Sequence, residues 1–165
     1  MNVIGLDVSL NSTGIALLED GKFKIAGTIK PGVAVGAARL VRMWDQIDEW
    51  WTANGIDVDL FAIEGYSYAS RTSQAHSTGE LGGVIRYELQ RRGEPYIVIP
   101  PATWRKEVLG RGNLAKSEVR IEVFKRYGLE LVSEDALEAF CVAYAGWLQA
   151  TGASKPKITR KRKAA

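Results

Sequence analysis

The chain has very little thiol or imidazole chemistry available to it. Cys141 is the only cysteine and His76 is the only histidine among its 165 residues. A single cysteine excludes an intramolecular disulfide, and one histidine offers a weak basis for Cys–His catalysis. Because Cys141 lies inside an apolar run, we expect it to be a small buried hydrophobic residue.

A long apolar run and a charged-then-apolar leader are also missing. A membrane span needs about 20 apolar residues, so the sequence predicts neither a span nor a signal peptide, and we expect a cytoplasmic protein without membrane contact. Hydrophobic residues make up 46% and charged residues 25% of the chain, as in ordinary globular proteins. One domain with a substantial core fits this length, and we place it at residues 1–152.

Acidic residues are absent from the last eleven positions, although six basic residues lie there. Removing these six from the 22 basic residues leaves 16 basic against 19 acidic, so the body is slightly negative while the net charge is +3. This asymmetry predicts that residues 153–165 form a disordered tail that binds a polyanion, with a merely solubilising tail as the alternative. The six residues are Lys155, Lys157, Arg160, Lys161, Arg162 and Lys163.

The stretch from Asn2 to Leu18 contains two apolar runs separated by a small polar turn. The first run carries a single carboxylate, Asp7. Burying a carboxylate is costly unless it is paired, hydrogen-bonded or bound to a metal. Asp7 is therefore either a site residue or a cap for the turn that follows it.

Hydrophobic periodicity predicts an α/β fold with a five-stranded mixed sheet flanked by helices. Three strands form an antiparallel meander with an Asp-Gly turn, and the strand after the first helix should run parallel to the first strand. The predicted strands are 2–8, 13–19, 23–29, 58–64 and 95–99, and the predicted helices are 36–53, 78–92, 102–109, 115–127 and one that begins after Ser133.

Further carboxylates should converge on Asp7. Glu64 ends the strand predicted to lie beside the first one, at the sheet edge where α/β proteins place their sites. Asp135 and Glu138 share one face of the last helix, although acids near a helix N-terminus also simply suit its dipole. Four converging carboxylates need cations, and oxygen ligands favour Mg²⁺ or Mn²⁺. Two such ions some ~4 Å apart support phosphodiester cleavage, which predicts a metal-dependent nuclease.

Two segments are candidates for nucleic-acid contact. The loop after Glu64 contains aromatic residues that could stack on bases and an arginine that could meet phosphate. A helix–loop–helix at 102–127 carries basic residues on both arms, which suits a phosphate backbone. An ordinary surface loop and an ordinary solvated face are the alternatives. The candidates are Tyr66, Tyr68, Arg71, Arg105, Lys106 and Arg111.

The element order resembles the RuvC family of Holliday-junction resolvases, which has the ribonuclease H-like fold. Residues 2–150 carry the resemblance through Ile4-Gly-Leu-Asp7, Phe61-Ala-Ile-Glu64 and Asp135-Ala-Leu-Glu138. It implies a homodimer that resolves four-way junctions by paired nicks, in a bacterial cell or a phage-infected host. It also implies that these four acids hold two Mg²⁺ (or Mn²⁺) ions per active site.

By the family pattern, Lys116 stabilises the scissile phosphate, Lys106 helps to hold the strand, and the loop after Glu64 enters the junction centre. Two positions depart from that pattern. Glu138 stands where the family usually has aspartate, so Glu134 is an alternative ligand. Ser67 stands where the wedge aromatic is expected, between the two tyrosines of the loop.

Three other functions remain open from the sequence. One is a ribonuclease H-like nuclease for other branched DNA or for RNA–DNA hybrids, and another is a non-catalytic junction-binding module. The Asp7–Gly14 stretch also resembles the first phosphate motif of sugar kinases and actin-like ATPases. Those proteins need two such domains and a second glycine-rich phosphate loop, which this chain lacks.

Overall fold

The computed structural model describes residues 1–65 and 74–154, without the side chains of residues 74–78. Within these residues, five strands form one mixed sheet in the order β3-β2-β1-β4-β5. The strands are β1 (Asn2–Asp7), β2 (Thr13–Glu19), β3 (Lys22–Ile29), β4 (Leu60–Glu64) and β5 (Tyr96–Ile99). The helices are α1 (Gly36–Ala53), α2 (Gln74–Arg92), α3 (Pro101–Trp104), α4 (Lys116–Tyr127) and α5 (Glu134–Thr151), and a π-helical turn, Arg105–Leu109, follows α3.

The antiparallel meander and the parallel pairings are confirmed. β1 pairs antiparallel with β2, and β2 with β3. The β2–β3 turn places Asp20 at φ 50° and Gly21 at φ 73°, the left-handed backbone that a tight Asp-Gly hairpin needs. β4 runs parallel to both β1 and β5, with Leu6 opposite Ile63. The carboxyl ends of β1 and β4 therefore lie side by side.

Helices cover both faces of the sheet and create two cores. On one face, α1 and α2 bury their apolar stripes against Ile4 and Leu6 of β1, with Trp44 and Trp51 of α1 among the buried side chains. On the other face, α5 packs across the meander together with the α3–α4 segment. Cys141 of α5 is fully buried, as predicted.

Two glycines allow α5 to lie directly on the sheet backbone. A Cβ atom built on Gly5 of β1 would overlap the carbonyl oxygen of Ala139. A Cβ atom on Gly14 of β2 would likewise overlap the carbonyl oxygen of Asp135. Only glycine permits so close an approach of strand and helix. This contact places the first turns of α5 beside the ends of β1 and β4.

Some predicted boundaries were wrong. The second helix, predicted at 78–92, begins at Gln74. The strand predicted from residue 58 begins at Leu60, because the Asp59 carboxylate accepts a hydrogen bond from the Asn2 backbone N–H at 2.6 Å. The helix predicted at 102–109 divides into α3 and the π-helical turn. None of the helices in the described ranges combines the length and apolar character that crossing a bilayer requires.

Candidate metal centre and nucleic-acid interface

Three carboxylates from three elements meet at the carboxyl edge of the central strands. Asp7 ends β1, Glu64 ends β4, and Glu138 lies in the second turn of α5. Each offers an oxygen atom, and these oxygens all lie within 4.8 Å of one another. Asp7 is 7% exposed and Glu138 is 4% exposed, so water shields their charges poorly. Such a group of oxygen donors fits a hard divalent cation.

The pKa values of these carboxyl groups also indicate that their negative charge must be compensated. Burial raises the pKa of Asp7 far above the ordinary value of an aspartic acid, and the neighbouring charges of Glu64, Glu138 and Asp135 raise it further. Burial also raises the pKa of Glu138, against the opposing effect of Lys116 and Arg105. Without cations, protons must neutralise part of this charge. A divalent cation would replace those protons.

Asp135 lies beside these three carboxylates, and its position depends on the β1–β2 turn. The hydroxyl of Ser12 donates a hydrogen bond to Asp135 Oδ2 at 2.5 Å. The hydroxyl of Ser133 accepts a hydrogen bond from the Ala136 backbone N–H at 3.3 Å and so caps α5. Asp135 is therefore held at the mouth of the group and is partly exposed.

The two glutamates of the last helix have different surroundings. Glu138 belongs to the converging oxygens, whereas Glu134, one helical turn earlier, is exposed. The structure therefore brings Glu138, and not Glu134, close to Asp7 and Glu64. The longer glutamate arm reaches the group from a helix that Gly5 and Gly14 bring close to the sheet.

The segment after β5 contributes two contacts that the sequence did not predict. The indole N–H of Trp104 donates a hydrogen bond to Glu64 Oε1 at 2.8 Å. The Arg105 guanidinium lies 4.6 Å from the centre of the Trp104 ring, and its Nη2 is 3.7 Å from Glu138 Oε1. No local pattern signals these contacts. The only sequence cue is a tryptophan next to an arginine, directly after a strand of the same sheet.

The predicted DNA-contacting residues of the helix–loop–helix have different environments. Lys106 and Lys116 are exposed, and the charge of Lys116 helps to lower the pKa of Glu138. Arg111 is also exposed, and its Nη2 lies 3.3 Å from Glu118 Oε1. The Arg105 side chain is only 19% exposed, so most of it faces the carboxylates. The geometry thus separates Arg105 from the exposed basic residues.

Other predicted residues lie outside the described residues. They are Tyr66, Tyr68 and Arg71 of the loop after Glu64, and Lys155, Lys157, Arg160, Lys161, Arg162 and Lys163 of the tail. The side chain of His76 is likewise not described. Burial raises the pKa of the Cys141 thiol well above its ordinary value, which opposes a nucleophilic role.

Comparison with known proteins places this arrangement in a family. The family model described as crossover junction endodeoxyribonuclease RuvC matches residues 3–145. The chain belongs to the RuvC family. That membership confirms the predicted family and the predicted class of enzyme, an endonuclease.

Individual RuvC relatives match over most of their length. The chain is 27% identical over 178 residues to the crossover junction endodeoxyribonuclease RuvC of Sorangium cellulosum, covering 99% of this chain and 98% of that protein. It is 26% identical over 151 residues to the enzyme of the same name from Saccharopolyspora erythraea, covering 87% of this chain and 75% of that protein.

Solved structures confirm the ribonuclease H-like fold of the resolvases. The Thermus thermophilus RuvC structure superposes with a TM-score of 0.75 at 20% identity, over 95% of this chain and 100% of that one. The fowlpox virus Holliday junction resolvase superposes with a TM-score of 0.60 at 11% identity, over 90% of this chain and 99% of that one.

Proposed function

We propose that this chain is a metal-dependent endodeoxyribonuclease that resolves four-way (Holliday) junctions by paired nicks. The observation that carries the proposal is the meeting of Asp7, Glu64 and Glu138 at one buried point. Uncompensated charges of this density are unfavourable in a protein interior. A group of carboxylates whose charge must be compensated, in a chain of the RuvC family, supports metal-dependent phosphodiester hydrolysis.

The four acids have defined places in this proposal. Asp7, Glu64 and Glu138 would hold the cations directly, and Asp135, fixed by Ser12, would complete the set at the open side. Mg²⁺ or Mn²⁺ suits these oxygen ligands. When bound, two such ions supply an activated water and stabilisation of the departing oxygen.

Basic residues around the carboxylates would position the DNA. Lys116 begins α4 next to Glu138 and is exposed, so it can stabilise the scissile phosphate. Lys106 and Arg111 lie exposed on the same helix–loop–helix and can contact the backbone on either side. The loop after Glu64, with Tyr66, Tyr68 and Arg71, would contact the junction centre, and the basic tail would add affinity.

Paired nicks require two active sites on one junction, so we also propose a homodimer. A two-fold dimer presents the same site to symmetry-related strands of a four-way junction. The Thermus RuvC solved in complex with a Holliday junction substrate superposes with a TM-score of 0.73 at 18% identity and supports branched DNA as the partner. Sedimentation of the protein alone and with junction DNA measures the stoichiometry. One protomer per junction would contradict the dimer.

A comparison of substrates tests the function. Four-way junctions, forks and RNA–DNA hybrids are incubated with the protein in Mg²⁺, with each strand labelled in turn. We expect symmetrical nicks in two strands of the four-way junction and slower cleavage of the other substrates. Faster cleavage of forks or hybrids would favour a broader ribonuclease H-like nuclease. Junction binding in Ca²⁺ without cleavage in Mg²⁺ or Mn²⁺ would favour a non-catalytic binding module.

A further inference from the structure

Two consecutive residues, Trp104 and Arg105, contact two of the three converging carboxylates. Trp104 is fully buried, and its indole N–H donates to Glu64 at the end of β4. Arg105 lies over the Trp104 ring and reaches Glu138 on α5. The pair therefore adds a side-chain link between the end of β4 and α5, which also pack directly against each other.

The backbone where this pair lies is unusual. Trp104 is the last residue of α3, and Arg105 opens the π-helical turn. A π-helical turn places one extra residue in the helix and is often found at functional sites. The turn changes the spacing of side chains at the point where one residue must face Glu64 and the next must face Glu138.

Arg105 supplies a permanent positive charge inside the carboxylate group. Its guanidinium is protonated at any ordinary pH and prefers planar stacking, which the Trp104 ring provides. Its Nε is buried and has no hydrogen-bond partner among the described residues. A salt bridge of 3.7 Å with an unpartnered Nε is a loose ion pair, suited to compensating charge and not to structural locking.

We propose that Trp104 and Arg105 are positioning residues of the carboxylate site, in which the indole orients Glu64 and the guanidinium is a built-in counter-ion for Glu138. This inference rests on the proposed metal site and deepens it. Arg105 stabilises the metal-free fold by offsetting the repulsion among the acids. The same charge opposes the binding of divalent cations, so it lowers their affinity. Trp104 has the opposite effect on affinity, because it holds a ligand in place.

The two opposed effects of Arg105 give the inference its test. Arg105→Gln is compared with the wild type in two measurements on the full chain, calorimetric titration with Mn²⁺ and thermal unfolding in EDTA. Removing a unit charge a few ångströms from the cations should tighten Mn²⁺ binding by about tenfold. The same change should lower the unfolding temperature in EDTA. A purely structural arginine would not tighten cation binding when removed.

Matched variants separate charge from shape. Arg105→Lys keeps the charge and should keep the wild-type Mn²⁺ affinity. Arg126→Gln removes an arginine that is 14% exposed and paired with Glu122 at 3.1 Å, so it should destabilise the fold without changing Mn²⁺ affinity. Trp104→Phe keeps an aromatic ring but removes the N–H donor together with part of the indole, and it should weaken Mn²⁺ binding about tenfold.

Failure of this inference is distinguishable from failure of the proposed function. If the wild type binds Mn²⁺ and cleaves junctions, but Arg105→Gln binds Mn²⁺ no more tightly than Arg126→Gln, the counter-ion role is wrong. Unchanged Mn²⁺ affinity in Trp104→Phe would remove the role of the indole. If the wild type binds no divalent cation, both the metal site and this inference built on it are wrong.

Discussion

Asp7 is almost fully buried and yet has three acidic neighbours whose charges raise its pKa. Its position follows from two strands that end side by side, and its surroundings follow from α5, which brings Glu138 close. A neutral residue at this position should remove the unfavourable free energy of burying a charged carboxylate beside other acids. Without a metal ion, individual acidic residues of this site therefore lower the free energy of unfolding.

Asp7→Asn should stabilise the metal-free protein in a pH-dependent way. Because the folded-state pKa of Asp7 is raised, the folded wild type binds more protons than the unfolded chain above the ordinary aspartate pKa, and its free energy of unfolding falls as pH rises through that window. In EDTA at pH 8 the variant should be more stable by about 1–3 kcal/mol, with a smaller decline between pH 5 and pH 8. Urea unfolding measures both quantities.

The exposed Asp45 of α1 provides the control, and Asp45→Asn should leave the pH dependence unchanged. In Mg²⁺, Asp7→Asn should still bind the four-way junction but should not cleave it, because a ligand is lost and a repulsive charge near phosphate is removed. Cleavage at the wild-type rate would contradict the assignment of Asp7 to the metal.

Glu138→Gln and Glu134→Gln should differ sharply. Glu138 contributes an oxygen to the converging group, whereas Glu134 is exposed one turn away. We expect Glu138→Gln to lower the rate of junction cleavage by about 100-fold or more, and Glu134→Gln by a few-fold at most. Single-turnover cleavage in Mg²⁺ measures both. Equal losses would show that the two glutamates share the role.

At the scale of elements, the site depends on how closely α5 lies on the meander. The carbonyl groups of Ala139 and Asp135 occupy the space that side chains on Gly5 and Gly14 would need. Ser12 in the β1–β2 turn then hydrogen-bonds Asp135, and Arg105 at the start of the π-helical turn reaches Glu138. The carboxylates are thus positioned both by the close backbone packing of α5 and by side-chain contacts.

Gly14→Ala should damage both stability and activity. The added methyl group would overlap the Asp135 carbonyl. Neither the strand nor the helix backbone can move away without losing packing or hydrogen bonds. We expect a loss of about 1–3 kcal/mol in the free energy of unfolding. We also expect weaker Mn²⁺ binding, since the first two turns of α5 carry Asp135 and Glu138.

Gly27→Ala is the matched control on the neighbouring strand. A Cβ atom there would lie 3.6 Å from Trp50 Nε1, an ordinary contact. It should leave stability and Mn²⁺ affinity close to the wild-type values. If Gly14→Ala behaved in the same way, α5 would have more freedom over the sheet than the close approach implies.

At the scale of the whole molecule, charge is divided between a slightly acidic body and a basic tail. Three of the acids of the body, Asp7, Glu64 and Glu138, meet at one point, and basic residues are exposed on the helix–loop–helix that follows β5. The last eleven residues carry six basic residues and no acid. Such a tail attracts polyanions most strongly at low and moderate salt.

Deleting residues 155–165 should weaken junction binding and flatten its dependence on salt. Each phosphate contact contributes about 0.9 to the slope of log affinity against log salt, so the slope should fall by several units if most of the six cations reach DNA. Fluorescence anisotropy at several salt concentrations measures it. A variant with the six residues replaced by glutamine separates charge from chain length. An unchanged slope would show that the tail does not contact the phosphates of the DNA.

Much of the architecture was predictable because its signals are local. Apolar alternation and helical periodicity located every element, and the crossover helix between the meander and β4 made that strand parallel to β1. The boundaries at Leu60 and Trp104 were missed, because a side-chain hydrogen bond and a π-helical turn lie at them. These depend on contacts that periodicity does not encode.

The sequence alone determined that acids end two neighbouring strands and begin the last helix, since residue type and strand order are both written along the chain. Only the tertiary structure decided which acids meet. It buried Glu138 and left Glu134 exposed. It also brought Ser12 to Asp135, 123 positions away in the sequence, and Trp104 to Glu64, 40 positions away. Such contacts depend on how closely α5 and the π-helical turn pack onto the sheet, and packing distances have no local signature.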